Sequence, residues 1–304
     1  MDLLGLRYFS EVVQQQNLTK AAALLGIAQP ALTRRIHQME EEFGTTLLVR
    51  HRRGVHPTET GLIVFERARL LLKLAEEMRG EVSSRTSEPH GQIRFGYPPS
   101  LGDLFLAELV ARYSEKFPKV SLLLDEQFSP KLKEELLTGR IDLGIMTCEA
   151  THPDLHLVPL FAERLWFIGR TVDWPFRTRS ISPVRLARRP ILIASFLRRV
   201  LETDPAYKEA RLDVRIEADG LATLRQLVRS GSGFLLGPPS SVSRELDSGE
   251  FSGAPIKGLK VTRGLFRHKN RPMTRAMHEL ESDILRASTE LLRRPSMFQV
   301  IGRR

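Results

Sequence analysis

The apolar positions near the start of the chain recur every three or four residues, which is the period of an amphipathic helix. A first helix is predicted over residues 3–15, with Asp2 as its N-cap. Asn17 is suited to cap a second helix, and Gly26 is suited to end it because glycine adopts the left-handed conformation at low cost. The inward face of the first helix consists of Leu6, Phe9, Val12 and Val13.

A third helix is predicted to begin at Gln29, with Pro30 in a first-turn position where its missing N–H is not needed. Leu32, Ile36 and Met39 are spaced i, i+4, i+7 and form one buried stripe. Two short helices joined through a glycine turn, with a polar and cationic outer face on the second, are typical of a DNA-binding helix-turn-helix. A three-helix packing unit whose arginines only face water is the alternative. The outer face carries Gln29, Thr33, Arg34 and His37, with Arg35 at its flank.

The residues after the third helix predict a wing, and we expect the first domain to cover residues 1–57. A short strand is predicted over residues 47–49, and a loop rich in cations follows it. Cations on a loop beside a recognition helix suit phosphates or an adjacent minor groove. The cations of this loop are Arg50, Arg52 and Arg53.

The segment A-x-x-L-G-I-A-Q-P-A-L-T-R-R-I-H-Q-M-E-E-E-F-G-T-T-L-L-V-R, followed by R-R-G-V-H-P-T-E-T-G, resembles the LysR-type transcriptional regulators. The resemblance implies a wing contact at Arg53 and base contacts by four residues of the third helix. Ala28 stands where many members have Ser, which removes an N-cap hydroxyl worth about 1 kcal/mol. I-A-Q-P-A-L-T and R-R-G-V-H-P-T look like the branch of nitrogen-assimilation-control regulators. The implied base-contacting residues are Gln29, Pro30, Thr33 and Arg34.

Residues 58–90 are predicted to form a long helix, capped by Thr58, and a polar hinge. Apolar residues at spacings of 4, 3, 4, 3 and 4 form the seam of a two-stranded coiled coil. Further leucines widen the apolar face, so the helix is expected to pair with a partner and to touch the first domain. Packing on its own domain alone is the alternative, whereas the family resemblance implies dimerisation. The seam consists of Val64, Ala68, Leu71, Ala75, Met78 and Val82.

From residue 91 onwards, short apolar strands alternate with helices, which predicts a mostly parallel sheet with helices on both faces. We expect two α/β lobes, with residues 91–162 and 268–304 in lobe I and residues 163–267 in lobe II. The family resemblance implies a periplasmic-binding-protein-like domain with a small-molecule effector between the lobes. The predicted strands are residues 93–97, 120–124, 141–146, 157–161, 165–169, 191–194, 212–216, 234–236 and 261–267. The predicted helices are residues 104–117, 132–137, 197–202, 221–229 and 273–292.

Polar residues follow several of these strands, where ligands of open α/β sheets bind near helix N-termini. Hydroxyls and free backbone N–H groups at several helix starts suit a carboxylate or similar anion. Helix capping explains any one of these residues equally well, and the resemblance favours Ser100, Ser129 and Thr147. The candidate effector-binding residues are Pro99, Ser100, Leu101, Phe128, Ser129, Thr147, Ser195 and Phe196.

The net charge of +10 does not by itself predict DNA binding, because most of it lies in the second half of the chain. Residues 1–90 contain 12 Lys and Arg against 11 Asp and Glu, whereas the remainder contains 34 against 25. The prediction of DNA contacts therefore rests on the local placement of Arg34, Arg35, Arg50, Arg52 and Arg53. In the second half, seven arginines occur with no acid between Asp173 and Glu202, and we interpret them as a basic outer surface rather than an anion site. They are Arg177, Arg179, Arg185, Arg188, Arg189, Arg198 and Arg199.

Composition excludes several other classes of protein. No apolar run reaches the ~20 residues that span a bilayer, the start of the chain lacks a cationic leader, and a lone cysteine excludes an intrachain disulfide. We therefore expect a cytoplasmic protein, with Cys148 as a small buried hydrophobe. His152 and His156 lack the carboxylates of a metal site, and residues 230–240 lack the G-K-[ST] ending of a phosphate loop. We expect no metal or cofactor.

These patterns favour a dimeric or tetrameric LysR-type regulator that binds double-stranded DNA and RNA polymerase and responds to a small effector. No nucleophile, acid–base pair or kinase motif indicates an enzyme. An enzyme with a fused DNA-binding module and a ligand-free architectural DNA binder are the alternatives.

Overall fold

The computed structural model describes residues 2–51, 54–83, 88–187, 189–202, 208, 212–293 and 297–299. The chain forms two compact units, Met1–Ser87 and Glu88–Arg304. The long helix predicted as a linker is part of the first unit. Arg52, Arg53, Arg188 and residues 84–87 of the predicted hinge lie outside the described residues.

The first unit contains three helices, a two-stranded antiparallel hairpin and a long helix. The predicted caps are confirmed, because Asp2 accepts a hydrogen bond from the Gly5 N–H and Asn17 accepts one from the Lys20 N–H. Gly26 adopts the predicted left-handed conformation, with a φ of 67°. The elements are α1 (Leu3–Gln15), α2 (Leu18–Leu25), α3 (Gln29–Phe43), β1 (Leu48–His51), β2 (Gly54–Pro57) and α4 (Glu59–Ser83).

The core of the first unit lies between α1, α2, α3 and the start of α4. Leu32, Ile36 and Met39 are buried in it, as their spacing predicted. Val64 and Ala68 are buried in the same core. Their assignment to an intermolecular seam is therefore wrong, because their side chains already pack inside their own unit.

Gly61 lets the start of α4 approach the hairpin closely. A Cβ at this position would collide with the Leu47 carbonyl oxygen. The Thr58 hydroxyl donates to the Thr46 carbonyl at 2.9 Å and accepts from the Gly61 N–H at 2.9 Å. The T-E-T-G segment therefore holds the start of α4 against the residues that lead into β1.

The second unit is built on one nine-stranded mixed sheet, whose main path runs β4-β3-β5-β10-β6-β9-β7-β8. Parallel pairing joins β3 to β4 and β5 at one end, and β7 to β8 and β9 at the other. In the middle, β10 pairs antiparallel with both β5 and β6. The strands are β3 (Gly91–Tyr97), β4 (Val120–Glu126), β5 (Leu143–Thr147), β6 (Leu155–Arg170), β7 (Ile191–Ile193), β8 (Val214–Glu217), β9 (Phe234–Gly237), β10 (Phe251–His268) and β11 (Phe298–Gln299).

The helices of the second unit confirm most of the predicted positions. The predicted helix over residues 104–117 begins earlier, because α5 continues through a π-helical turn, Gly102–Leu106, into α6. None of the helices in the described part of the chain is long and apolar enough to cross a membrane. The helices are α5 (Pro99–Leu101), α6 (Ala107–Lys116), α7 (Ser129–Thr138), α8 (Ser195–Leu201), α9 (Leu221–Arg229), α10 (Ser243–Asp247) and α11 (Arg275–Leu291).

The predicted strands are wrong in two places, and one lobe boundary is wrong. The strands predicted over residues 157–161 and 165–169 form one continuous strand, β6, and β10 begins well before residue 261. Along β10, Val261 packs in the core of lobe II, whereas Leu265 packs in the core of lobe I. The boundary at residues 267 and 268 is therefore several residues late. Along β6 the change lies between Phe161 and Leu165, close to the predicted position.

Candidate DNA-binding surface and ligand cleft

The outward face of α3 is open to solvent. Gln29, Pro30 and Arg34 are exposed and Thr33 is half-buried. Arg34 has no ion pair or hydrogen bond with any described residue, so its guanidinium is available to an external acceptor. Ala28 provides no side-chain cap, as its methyl group requires.

Arg35 lies on the flank of α3 and has a structural partner. Its guanidinium forms an ion pair with the Asp2 carboxylate and donates to the Gln38 amide oxygen at 3.2 Å. Arg35 therefore connects α3 to the N-cap of α1. These contacts engage Arg35 within the first unit, and its predicted role as a DNA contact stays a prediction.

Glu40 positions the hairpin beside α3. One carboxylate oxygen accepts from the backbone N–H groups of Leu47 and Leu48, at 2.8 and 3.1 Å. This contact could not be predicted from the sequence, because Glu40 is one of several acidic residues on a polar helix face. Arg50 lies on β1 opposite Val55. Its predicted role at DNA, like those of Arg52 and Arg53, stays a prediction.

One side of α4 exposes an apolar stripe. Ile63, Leu71, Leu74 and Met78 have exposed fractions of 60%, 43%, 50% and 59%. Leu71 and Met78 belong to the predicted seam, and Ala75 of that seam is half-buried. The side chain of Val82 lies outside the described residues. Of the predicted seam, the stripe thus contains Leu71 and Met78, together with Ile63 and Leu74.

A cleft of about 430 Å³ lies between the lobes of the second unit. Its walls come from the start of α5 in lobe I and from the starts of α8 and α9 in lobe II. Among the described residues that line it, few have polar side chains, and Arg263 is the one that carries a charge. The lining residues are Pro98, Pro99, Ser100, Phe128, Ala194, Phe196, Leu197, Leu221, Leu224, Leu235, Leu236, Gly237, Pro238, Ser241 and Arg263.

Four predicted effector-binding residues lie in this lining, namely Pro99, Ser100, Phe128 and Phe196. The other four do not line this cleft. Leu101 is fully buried in the core of lobe I, and Ser195 starts α8 without lining the cleft. The Ser129 hydroxyl accepts from the Thr147 N–H at 3.0 Å, and both residues are buried. This hydrogen bond connects α7 to β5, and the predicted effector role of Ser129 and Thr147 stays a prediction.

Arg263 and Glu163 lie where β10 and β6 pass from one lobe to the other. Both are buried, with exposed fractions of 1% and 0%. Their closest charged atoms, Nη2 and Oε2, are 3.9 Å apart. Arg263 also donates to the Ser100 hydroxyl at 3.3 Å, and Glu163 accepts from the Ser240 N–H at 2.9 Å. Burial raises the pKa of the Glu163 carboxyl, and the nearby guanidinium opposes that rise.

The six arginines between Asp173 and Glu202 that the structure describes do not line the cleft. Arg185 and Arg189 lie over the Phe176 ring, and Arg198 forms ion pairs with Glu202 and Glu217. They are spread over the outside of lobe II, in agreement with the interpretation as a basic outer surface.

Cys148 and the neighbouring histidines show no sign of a reactive or metal-binding site. Burial raises the pKa of the Cys148 thiol to about 11, which keeps it protonated at neutral pH. His152 lies 3.6 Å from the Asp154 carboxylate. Within the described residues, no group of three or more His, Cys, Asp and Glu side chains could hold a metal ion.

Family comparisons match both units. Residues 3–62 match the bacterial regulatory helix-turn-helix protein, lysR family, and residues 86–287 match the LysR substrate binding domain. The HTH-type transcriptional regulator BbuR of Bordetella bronchiseptica is 31% identical over 86% of this chain and 81% of its own length. The nitrogen assimilation regulatory protein nac of Klebsiella aerogenes is 30% identical over 79% of both chains.

Solved structures show the same fold. A full-length OxyR variant from Pseudomonas aeruginosa superposes with a TM-score of 0.75 at 24% identity, covering 94% of this chain and 98% of that one. Full-length CbnR in complex with its target DNA has a TM-score of 0.68 at 21% identity, covering 94% of this chain and 100% of that one. With a helix-turn-helix unit followed by a two-lobed substrate-binding domain, the chain belongs to the LysR family of DNA-binding transcriptional regulators.

Proposed function

We propose that this regulator reads duplex DNA through the open face of α3 and that a small effector in the cleft controls that binding. The observation that carries the proposal is the exposed Arg34 guanidinium, which has no partner among the described residues. An arginine in the major groove donates two hydrogen bonds to guanine O6 and N7. An unpaired guanidinium on the exposed face of the second helix of a helix-turn-helix is suited to that contact.

Neighbouring residues on α3 would complete the readout. The Gln29 amide matches the donor and acceptor of an adenine edge, and the Thr33 side chain can contact a thymine methyl. Pro30 would pack against the groove wall without a backbone donor. Glu40 would hold the hairpin, with Arg50, Arg52 and Arg53, in position for phosphate or minor-groove contacts.

The apolar stripe of α4 would join two copies of the chain. Leucine and methionine side chains exposed at helical spacing lose contact with water when a second helix packs on them. A two-fold dimer would present two α3 helices to half-sites about 34–36 Å apart, one helical turn of DNA. Assembly into a tetramer and contact with RNA polymerase are further parts of the proposal.

The cleft would hold the effector because it lies between two lobes joined by crossing strands. An effector changes the protein only if it binds one arrangement of the lobes more tightly than another. The cleft contacts both lobes at once, so its occupancy can favour one arrangement.

Selection of duplexes from a random pool by the full-length protein tests the proposal. We expect enriched sequences with two related half-sites separated by one helical turn, bound by a dimer. Selection is repeated with pooled metabolites, which we expect to change the affinity or the spacing. An unchanged random pool at moderate salt, with and without metabolites, would contradict sequence-specific binding.

A further inference from the structure

We propose that Arg263 is the anchor for one carboxylate of the effector, and that the effector is a small monocarboxylate with an apolar body. This inference rests on the proposed function of the cleft and specifies the chemistry of its ligand. Arg263 was not among the residues predicted from the sequence.

Arg263 has hydrogen-bonding capacity that the protein leaves unused. A guanidinium carries five N–H donors and does not deprotonate in proteins. Nη2 donates to the Ser100 hydroxyl, whereas Nε and Nη1 have no hydrogen-bond partner although both are buried. Buried charged donors without acceptors are costly, so a site that contains them is suited to an incoming anion. Arg263 borders the cleft, and an anion would approach these donors from that side.

Glu163 neutralises part of this charge without occupying the donors. A separation of 3.9 Å between Nη2 and Oε2 allows electrostatic attraction but is too long for a hydrogen bond. The other oxygen, Oε1, accepts from the Ser240 N–H, and Oε2 has no hydrogen-bond partner. Glu163 therefore faces Arg263 from the side of lobe II and leaves Nε and Nη1 free for a ligand oxygen.

The rest of the cleft selects for an apolar body. The Phe128 and Phe196 rings, one from each lobe, lie with centroids 4.7 Å apart, and Leu221 and Leu224 extend the wall. The Ser241 hydroxyl donates to the Pro238 carbonyl at 2.6 Å, so its proton is already used. A sugar or a polyanion would leave polar groups unpaired against this wall. One carboxylate attached to a hydrocarbon fits the single cation and the apolar surface.

The position of the pair gives carboxylate binding a route to both lobes. Ser100 lies in α5 of lobe I, and Ser240 lies in the turn Pro239–Val242 of lobe II. Arg263 and Glu163 connect these two residues across the crossing strands. A ligand oxygen at Nε and Nη1 would attach the effector to the point where the lobes are joined.

Binding measurements with matched acids and amides test the inference. The probes are hexanoate, isovalerate and phenylacetate, each paired with its primary amide, and they are titrated into the full-length protein by calorimetry. We expect at least one acid to bind about 10-fold more tightly than its amide, as for a hydrogen bond to a charged group. Arg263→Met should remove that preference, whereas Arg112→Met, which removes an exposed arginine of the same unit, should retain it.

A double variant distinguishes loss of carboxylate binding from misfolding of the protein. Arg263→Met leaves Glu163 buried without a cation, whereas Glu163→Gln combined with Arg263→Met removes both charges, a change that folded proteins usually tolerate. We expect this double variant to keep the native circular dichroism and to bind acid and amide equally. If the wild-type protein binds acid and amide equally, the carboxylate assignment is overturned, whereas the proposal that the cleft holds an effector is not. Failure of every probe, acid or amide, together with no response of DNA binding to pooled metabolites, would overturn both proposals.

Discussion

Arg35, on the flank of α3, forms an ion pair with Asp2, the residue that caps α1. The same carboxylate accepts from the Gly5 N–H at 2.7 Å, so it stabilises the start of α1 and holds α3 against it. Arg35, which the sequence predicts as a DNA contact, is therefore also a contact between α3 and the start of α1.

The Asp2–Arg35 pair predicts a pH-dependent effect on stability. Its two hydrogen bonds, from the Gly5 N–H and from Arg35, hold the pKa of the Asp2 carboxyl below its ordinary value of 3.8. The stabilising contribution is therefore fully present above 3.8 and is lost as the pH falls through the lower folded pKa. Asp2→Asn should lower the melting temperature at neutral pH, and the difference from wild type should vanish in strong acid. A difference that is independent of pH would contradict the ion pair.

Gly61→Ala tests the close approach of α4 to the hairpin. The added methyl group collides with the Leu47 carbonyl oxygen, so the first unit should lose about 1–3 kcal/mol of unfolding free energy. Urea titration followed by circular dichroism measures the loss. Gly102→Ala is the matched control, because a Cβ there meets only ordinary contact distances of 3.5 and 3.6 Å. Equal stability of the two variants would show that α4 does not need the glycine.

Glutamate placed in the apolar stripe of α4 should separate the proposed dimer. Leu74→Glu or Met78→Glu adds charges that repel each other across a two-fold interface and bury poorly. Sedimentation at several protein concentrations should show a shift towards monomer. Val172→Glu changes an equally apolar and more exposed residue of the second unit, 84% exposed, and should leave assembly unchanged. Dimers that persist in both α4 variants would place the interface elsewhere.

Cys148 should react slowly with iodoacetamide at neutral pH. Its thiol has a pKa of about 11 because burial disfavours the thiolate, the reactive form. The alkylation rate of the folded protein should rise only as the pH approaches that value. Protein unfolded in urea is the control and should react at the rate of an ordinary thiol. Rapid alkylation of the folded protein at neutral pH would reveal an activated cysteine.

The elements that could be predicted from the sequence are those determined by interactions between residues close together in the chain. Asp2, Asn17 and Thr58 cap helices through contacts within three residues, so the bounds of α1, α2 and α4 could be predicted from local pattern. The strand β6 was divided because Glu163 and Arg164 interrupt its apolar run. That interruption makes sense only when Glu163 meets Arg263 on β10, a strand distant in sequence.

The two candidate sites also differ in whether local sequence pattern or contacts between distant residues determine them. The outer face of α3 follows from helical period alone, whereas the cleft depends on strand order in the sheet. Pro99, Ser100, Phe128 and Phe196 could be placed near helix starts, but Leu221 and Leu224 reach the cleft only because β9 pairs with β6. For Ser129 and Thr147 the sequence could not distinguish two roles, because a buried hydroxyl that accepts from a neighbouring N–H has the same sequence signature as one that binds a ligand.

Arg34→Ala measures the central claim most directly. Affinities are determined for a selected operator and for a scrambled duplex of equal length, at one salt concentration, with Arg112→Ala as a control of equal charge. If Arg34 reads a base, the ratio of the two affinities falls by about 10-fold, whereas loss of a phosphate contact, as predicted for Arg52→Ala, weakens both duplexes alike. An unchanged ratio for Arg34→Ala, or no preference in the wild-type protein, would contradict DNA reading through α3.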